Sequence, residues 1–379
     1  MINLLIAGYH GFGNCGDEAT LKAMTANIRQ MASDVKITAL SYNPEFTKTE
    51  YKIESIQRFN AVQVFNAIRK NDIILSGGGT LLQDGTSTRS LMYYLSIIKL
   101  AKLFGKKVML YGNGIGPVKG HFNRKMIKIV VNSVDVITLR EKLSEKDLRG
   151  IGVNRPEIYV TADPAFTLKS SSDEKAQEFL KKEGIPIDKE IIGVCIRNWN
   201  KAFGGEDSFI KKLAHVCDCL VKKDKAILLI PMQMPRDVDI SMKLIASMSE
   251  RAYILQGEYS PSDILAIIGQ LKAMMSMRLH SLIFSAVKRI PMIGIVYDPK
   301  VDYYLRALGM PEGGDIRNEE LDEKRIFAQM IDILKNYDDW KKKLDEKTVV
   351  LERKASENDK LLYEQLNLIR KEKGEKNEV

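Results

Sequence analysis

Apolar runs recur along the first half of the chain at Ile2 to Ala7, Val35 to Leu40, Asp72 to Leu75, Lys107 to Leu110, Val134 to Leu139 and Glu157 to Val160. Each reads as a buried strand. Between them apolar residues fall at helical spacing, as Leu21, Met24, Ile28 and Met31 do after the first run. Strands alternating with amphipathic helices predict a parallel sheet covered by helices on both faces. Four of these strands lead straight into polar or glycine-rich segments, GYHGFGN, SGGGTLLQDG, YGNGIGPV and REKLSEKD. In open α/β sheets ligands collect at the carboxyl ends of the strands, so the four loops are expected to share one functional edge.

The pattern breaks at LKSSSDEKAQEFLKKEGIPIDKE, Leu168 to Glu190, and then restarts. Strands are expected at Ile191 to Ile196, Ala226 to Ile230, Ala252 to Leu255, Ala273 to Met277 and Met292 to Val296, each followed by polar material (RNWN, PMQMPRD, QGEYS, RLHS, YDPK). From about Glu319 the chain reads as charged helix with apolar positions such as Ile326, Met330, Leu344, Leu351, Leu362 and Ile369, and its last residues, RKEKGEKNEV, as a disordered tail. The expected organisation is a Rossmann-like domain over 1–170, a linker over 171–190, a second Rossmann-like domain over 191–335, and charged helices with a tail over 336–379. The fold class is α/β, with the two domains facing across a cleft that holds the site.

At 379 residues the chain is longer than one core usually supports, which agrees with two domains. No apolar run approaches the roughly 20 residues of a membrane span, and INLLIA is too short for a secretory signal, so a cytoplasmic protein is expected. Cys15, Cys195, Cys217 and Cys219 contain no C-x-x-C pair and read as reduced thiols. With few histidines and no ligand spacing, no metal is expected. The formal charge of +9 favours anionic partners, phosphorylated metabolites or an acidic membrane face among them. Nucleic acid is disfavoured, because the basic residues are spread without aromatic interleaving.

Gly11, Gly13 and Gly16 match G-x-G-x-x-G, the dinucleotide fingerprint. Here, however, Gly8 closes the strand and the triplet begins only after Tyr9 and His10. The second strand ends at Ser41 where an acidic residue would take the ribose hydroxyls. Both departures argue against NAD or FAD.

His280 follows a buried strand and opens an apolar helix, where a helix terminus and a nearby anion tune an imidazole as acid or base. Arg278 and Lys300 come from the ends of adjacent expected strands, and Arg197 from the end of another, so these cations are expected to face a phosphate or carboxylate with His280. Arg140, closing VDVITL, is a similar candidate, with a surface salt bridge to Glu141 or Asp147 as the plain alternative. Asp17 and Glu18 open a helix; Asp17, nearest the loop, is expected to point into the site. Tyr9, Phe12, Asn14, Gln83 and Asp84 would supply hydrogen bonds and a stacking face suited to a sugar, or merely close turns. Asp163 in TADPAF would brace the site or make an ordinary Asp-Pro turn. His10 is expected as an exposed loop side chain with a possible catalytic role, and His121 and His215 have no supporting context.

Taken in order, GYHGFGNCGDEATL, LSGGGTLLQD, YGNGIGP, TLRE, TADPAF, SMRLHSLIFSA and GIVYDPK resemble the polysaccharide pyruvyl transferase family, and within it the CsaB-type enzymes of cell-wall polymer synthesis. The resemblance runs from Gly8 to Lys300. It implies a GT-B-like fold, phosphoenolpyruvate as donor substrate with no cofactor, and ketal transfer to two hydroxyls of a sugar. In CsaB-type enzymes that sugar is an N-acetylmannosamine in a lipid-linked precursor, which implies peripheral contact with the inner membrane surface. Carried over by position, the family's functional residues are Tyr9, Phe12, Asn14, Asp17, Arg140, His280 and Lys300. His10 stands where many relatives have another aromatic, and Cys15 where a small residue is frequent. On this reading Arg140, Arg278, Lys300 and Arg197 hold the donor, His280 and Asp17 move protons, and Tyr9, Phe12, Asn14, Gln83 and Asp84 hold the acceptor. The alternative is a GT-B-like glycosyltransferase using a nucleotide sugar.

Overall fold

The computed structural model describes residues 1–85, 87–199 and 201–377, with side chains through residue 374. The chain forms two compact units, one comprising Met1–Leu168 with Leu351–Val379 and the other Lys169–Val350.

The first unit holds β1 (Ile2–His10), α1 (Cys15–Met31), β2 (Val35–Ser41), α2 (Pro44–Tyr51), β3 (Glu54–Gln57), α3 (Ala61–Lys70), β4 (Ile73–Gly77), α4 (Thr88–Leu103), β5 (Lys107–Asn113), α5 (His121–Val131), β6 (Val136–Leu139), α6 (Lys142–Ile151) and β7 (Glu157–Val160). Its sheet has the order β3-β2-β1-β4-β5-β6-β7 with every pair parallel. Alternation along each strand divides the core in two. Leu5, Ile74, Val108 and Ile137 pack under α3, α4, α5 and α6, while Leu4, Ile73, Met109 and Val136 face the other side with α1 and Leu362, Leu366 and Ile369.

The second unit adds α7 (Asp173–Lys182), β8 (Glu190–Cys195), α8 (Glu206–Val221), β9 (Lys225–Leu229), α9 (Arg236–Ser247), β10 (Tyr253–Ile254), α10 (Pro261–Ile268), β11 (Ala273–Ser276), α11 (Leu279–Val287), β12 (Met292–Val296), α12 (Pro299–Leu308), β13 (Glu312–Asp315) and α13 (Glu323–Lys335). Its parallel sheet runs β10-β9-β8-β11-β12-β13. Both sheets therefore reverse direction of growth beside their first strand, at β1/β4 and at β8/β11, the crevice positions of doubly wound folds.

Three expectations need correction. Residues 171–190 are not a free linker: α7 packs on α10, Ser171 and Lys175 donate to Asp263 at 2.6 and 2.7 Å, and Leu180 is buried. The basic tail is not disordered up to its described limit. α14 (Tyr337–Asn377) continues through it, because Arg370 pairs with Asp34 and Lys373 with Asp72. Residues 351 onward of this helix belong to the first unit, so the first unit is discontinuous in sequence. The edge strands β3 and β13 were not expected, since ESIQ and EGGD offer too little apolar side chain to register as buried strands.

Candidate functional site

In the first unit the loop after β1 is built around two glycines at positive φ, Gly11 (79°) and Gly13 (69°). A Cβ on Gly11 would stand 2.2 Å from the Ser41 hydroxyl, so this turn admits no side chain. Asn14 caps α1 by accepting from the Gly16 amide at 3.1 Å. Glu18 fastens the loop from below: one carboxylate oxygen accepts from Gly11 N–H at 2.6 Å and the other from the Tyr51 hydroxyl at 2.7 Å. Burial, partly offset by these two hydrogen bonds, raises the Glu18 carboxyl to about 7.

Above this anchor the aromatic rings form a ladder. Tyr9 and Phe12 stack at 4.1 Å and 8°, and Phe12 and Tyr42 at 4.6 Å and 14°. Arg58, 4% exposed, closes the ladder from one side. Its Nη1 donates to the Gly8 carbonyl at 2.7 Å and its Nη2 to the Tyr94 hydroxyl at 3.1 Å, while its guanidinium carbon lies 4.8 to 5.5 Å from the ring centroids of Phe12, Phe59, Tyr93 and Tyr94. His10 is not an exposed loop residue. Its ring is fully buried against Gly8, where a Cβ would meet Nε2 at 2.2 Å, and burial together with the Arg58 charge lowers it to about 3. His10 is thus neutral at physiological pH and unsuited to acid catalysis.

The glycine loop after β4 lies beside α1. Gly79 (φ 70°) approaches Asp17 so closely that a Cβ would lie 2.6 Å from its carboxylate oxygen. Asp17 is 8% exposed. Gly114 N–H donates to Gly79 O at 3.0 Å and Arg140 N–H to Asn113 O at 3.1 Å, so the loops after β1, β4, β5 and β6 are contiguous, as the sequence pattern requires.

Arg140 takes up the ion-pair alternative with Glu141, buried rather than at the surface. Its Nη1 donates to Asp163 at 2.6 Å, Nε to Glu141 at 3.2 Å and Nη2 to the Thr80 hydroxyl at 3.1 Å, and it is 4% exposed. Two buried carboxylates balance its charge, so it braces the loop edge through Asp163, which also caps the Pro164–Thr167 turn at the Ala165 amide. Asp84 likewise serves the fold. It accepts from the Lys119 and Gly120 amides and from Asn123; against the effect of burial, these bonds hold its carboxyl below the usual range. Gln83 donates to Thr80 O at 3.2 Å.

In the second unit the candidates stand at the ends of three adjacent strands. Arg197 follows β8, Arg278 and His280 follow β11, and Lys300 follows β12. The turn into α11 is set by Ser276, which accepts from Arg278 N–H at 2.9 Å, and by Ser281, which donates to Arg278 O at 2.7 Å. Arg278 pairs with Asp237, itself 1% exposed and accepting from the Met232 and Gln233 amides. Arg197 donates to the Tyr297 hydroxyl at 3.0 Å and lies 4.8 Å from that ring centroid, with Trp199 beside it. His280 occupies the first turn of α11, whose cap residue Arg278 makes no side-chain cap hydrogen bond and which holds no acidic residue; a helix N-terminus favours an anion. Lys300 lies in the first turn of α12, whose cap Asp298 accepts from the Lys300 amide at 2.9 Å.

The family model for polysaccharide pyruvyl transferase matches residues 14–299. The chain belongs to this family. It is a transferase, and its family modifies polysaccharides. The amylovoran biosynthesis protein AmsJ of Erwinia amylovora is 19% identical, over 89% of this chain and 93% of AmsJ. Among solved structures, S. aureus MnaA with UDP is similar at 10% identity over 91% of each chain, with a TM-score of 0.64. Anabaena Alr3699/HepE in complex with UDP and glucose is similar at 9% identity over 97% of this chain and 100% of that one, with a TM-score of 0.65. At such identities the likeness shows the fold, which is the two-domain GT-B type. A CsaB-type subfamily does not follow from these matches.

In this chain the sequence reading missed Arg58, Tyr42, Asp237 and Tyr297. Arg58 and Tyr42 come from segments with no motif of their own. Asp237 and Tyr297 sit in PMQMPRD and YDPK, segments already marked as strand-end loops, and that placement was the available signal.

Proposed function

We propose that the protein transfers the pyruvyl group of phosphoenolpyruvate to two hydroxyls of a sugar, forming a cyclic ketal and releasing phosphate. The observation that carries this reading is the convergence of Arg197, Arg278, His280 and Lys300 on the carboxyl ends of β8, β11 and β12. Three cations beside a helix N-terminus suit a small donor bearing both a carboxylate and a phosphate. His280 protonates C3 of the enol, which makes C2 electrophilic. One sugar hydroxyl bonds to C2 and gives up its proton, for which Asp17 is the assigned base. Phosphate then departs from C2 with its charge offset by the cations, and the second hydroxyl bonds to the same carbon and loses its proton.

Tyr9, Phe12 and Tyr42 offer the acceptor a flat face, and Asn14 is assigned a hydroxyl of the sugar. Arg140 positions the loops without touching the donor. The acceptor assigned is an N-acetylmannosamine of a lipid-linked precursor, used by a cytoplasmic enzyme that needs no metal or organic cofactor. The test is phosphate release from phosphoenolpyruvate with and without a β-linked N-acetylmannosamine bearing an apolar aglycone. Acceptor-dependent release with a pyruvylated sugar in the mass spectrum supports the reading. Consumption of a nucleotide sugar with silence toward phosphoenolpyruvate overturns it in favour of glycosyl transfer.

A further inference from the structure

On one face of the first sheet, α3 packs on α4 and α4 on α5. These helices have 10, 16 and 11 residues, and none contains Asp or Glu, although 49 of the chain's 379 residues are acidic. They carry Arg69, Lys70, Lys99, Lys125 and Lys128 on exposed positions. Among these cations stand exposed apolar side chains: Val62 at 70%, Leu103 at 72%, Phe122 at 63% and Ile129 at 55%. A groove of about 560 Å³ runs between α3 and α4, lined largely by apolar side chains such as Phe65, Ile68, Ile97, Leu100 and Leu103. Its far end is lined by Arg58 and Tyr93, and Arg58 is the residue that holds Gly8 and the aromatic ladder.

We propose that the α3–α4–α5 face docks on the surface of an anionic lipid bilayer. The cations without intervening carboxylates meet lipid phosphates, and the apolar side chains enter the acyl boundary. Among the described residues no helix is long and apolar enough to cross a membrane. Nucleic acid would satisfy the cations but would leave Val62, Leu103, Phe122 and Ile129 against phosphate and water. A second copy of the same face would set like charges against each other. Docking serves the enzyme by bringing the ladder to the headgroup layer, and that purpose rests on the acceptor being lipid-linked; the docking itself does not.

The test is sedimentation of the full chain with vesicles of phosphatidylglycerol or of phosphatidylcholine at low and moderate salt. The expected result is binding to phosphatidylglycerol alone that weakens with salt. The double variants Val62→Glu/Leu103→Glu and Lys99→Glu/Lys125→Glu should each weaken it roughly tenfold or more. Phosphate release with a short soluble acceptor should be unchanged in both, while turnover of an acceptor embedded in vesicles falls. All four side chains are exposed, and unchanged circular dichroism controls for folding. Equal binding to both lipids, or phosphatidylglycerol binding indifferent to both variants, overturns the proposal. So does a concentration-dependent dimer that the apolar variant abolishes in the absence of vesicle binding. Vesicle binding without any pyruvyl transfer would refute the enzymatic reading and leave the docking surface standing.

Discussion

Substituting Glu18 by Gln should change stability in a pH-dependent way whose sign follows from the site. Glu18 is 4% exposed, and burial is the leading cause of its rise from 4.5 to about 7, with the Tyr51 and Gly11 hydrogen bonds opposing and Asp17 and Glu50 adding repulsion. The folded state therefore binds this proton more tightly than the unfolded chain does. Its contribution to stability is full below pH 4.5 and is lost as pH rises through about 7. The gap between 4.5 and about 7, at about 1.4 kcal/mol per unit, corresponds to about 3 kcal/mol. Gln imitates the protonated acid: its oxygen accepts from Gly11 and its amide donates toward the Tyr51 oxygen. Both tryptophans, Trp199 and Trp340, lie in the second unit, so their fluorescence reports the wrong half of a chain that need not unfold in one step. Hydrogen exchange of peptides from β1 and the start of α1, read for both proteins at each pH, isolates the effect. The wild-type opening free energy relative to Glu18→Gln should be level below pH 4.5, fall by about 3 kcal/mol between pH 4.5 and 7, and level off above. Parallel curves would refute the buried-acid account, and a rise with pH would show that the hydrogen bonds outweigh burial.

His280→Ala in folded protein should cut kcat by about a hundredfold or more, the usual weight of a proton-transfer group, and retention within about threefold would remove it from the mechanism. Arg140→Met leaves Asp163 and Glu141 buried without their cation and should lower the opening free energy of β6, read by hydrogen exchange, by about 3–5 kcal/mol; a small loss would mean that the ion-pair network is not structural. Gly79→Ala forces a Cβ toward Asp17 at positive φ and should lower kcat/KM for the acceptor about tenfold while leaving donor binding by the second unit unchanged, which equilibrium binding of phosphoenolpyruvate measures.

How far the sequence could be read depended on which side chains carried a periodic or local signal. The buried parallel strands were legible because runs such as Ile2 to Ala7 and Met292 to Val296 must be apolar on both faces. β3 and β13 lie at sheet edges, where ESIQ and EGGD need satisfy only one neighbour, and so carry no such run. The loops at the strand ends were legible for the same reason as the strands, but the partners inside them were not. Nothing in TLRE distinguishes an arginine open to a ligand from one held by Asp163, a residue 23 positions away. His10 shows the same limit: its glycine neighbours suggest exposure, yet the lack of a side chain on Gly8 is what makes room to bury the ring. Arg58 gave no signal, because its role is defined by rings drawn from the loop after β1, the turn after β3 and α4.

The two strand-end sites are built with opposite electrostatics. In the first unit, charge is cancelled or suppressed. Asp163 and Glu141 balance Arg140, His10 is held neutral, Glu18 titrates near neutrality, and Arg58 spends its guanidinium on a carbonyl, a phenol and aromatic faces. Besides the Asp17 carboxylate assigned as base, the first unit offers a ligand the neutral ladder of Tyr9, Phe12 and Tyr42, which suits a sugar ring better than an anion. In the second unit, Arg197 rests on the phenol and ring of Tyr297, a neutral partner that orients the guanidinium without cancelling it. Arg278 is held by Asp237, but the adjoining first turn of α11 adds backbone N–H groups that no carboxylate side chain of that turn answers. On the function proposed above, the donor is accordingly assigned to the second unit and the sugar acceptor to the first. Exchanging that preference, for instance by tight phosphoenolpyruvate binding that survives Arg197→Ala and Arg278→Ala together but not Tyr9→Ala, would contradict this division.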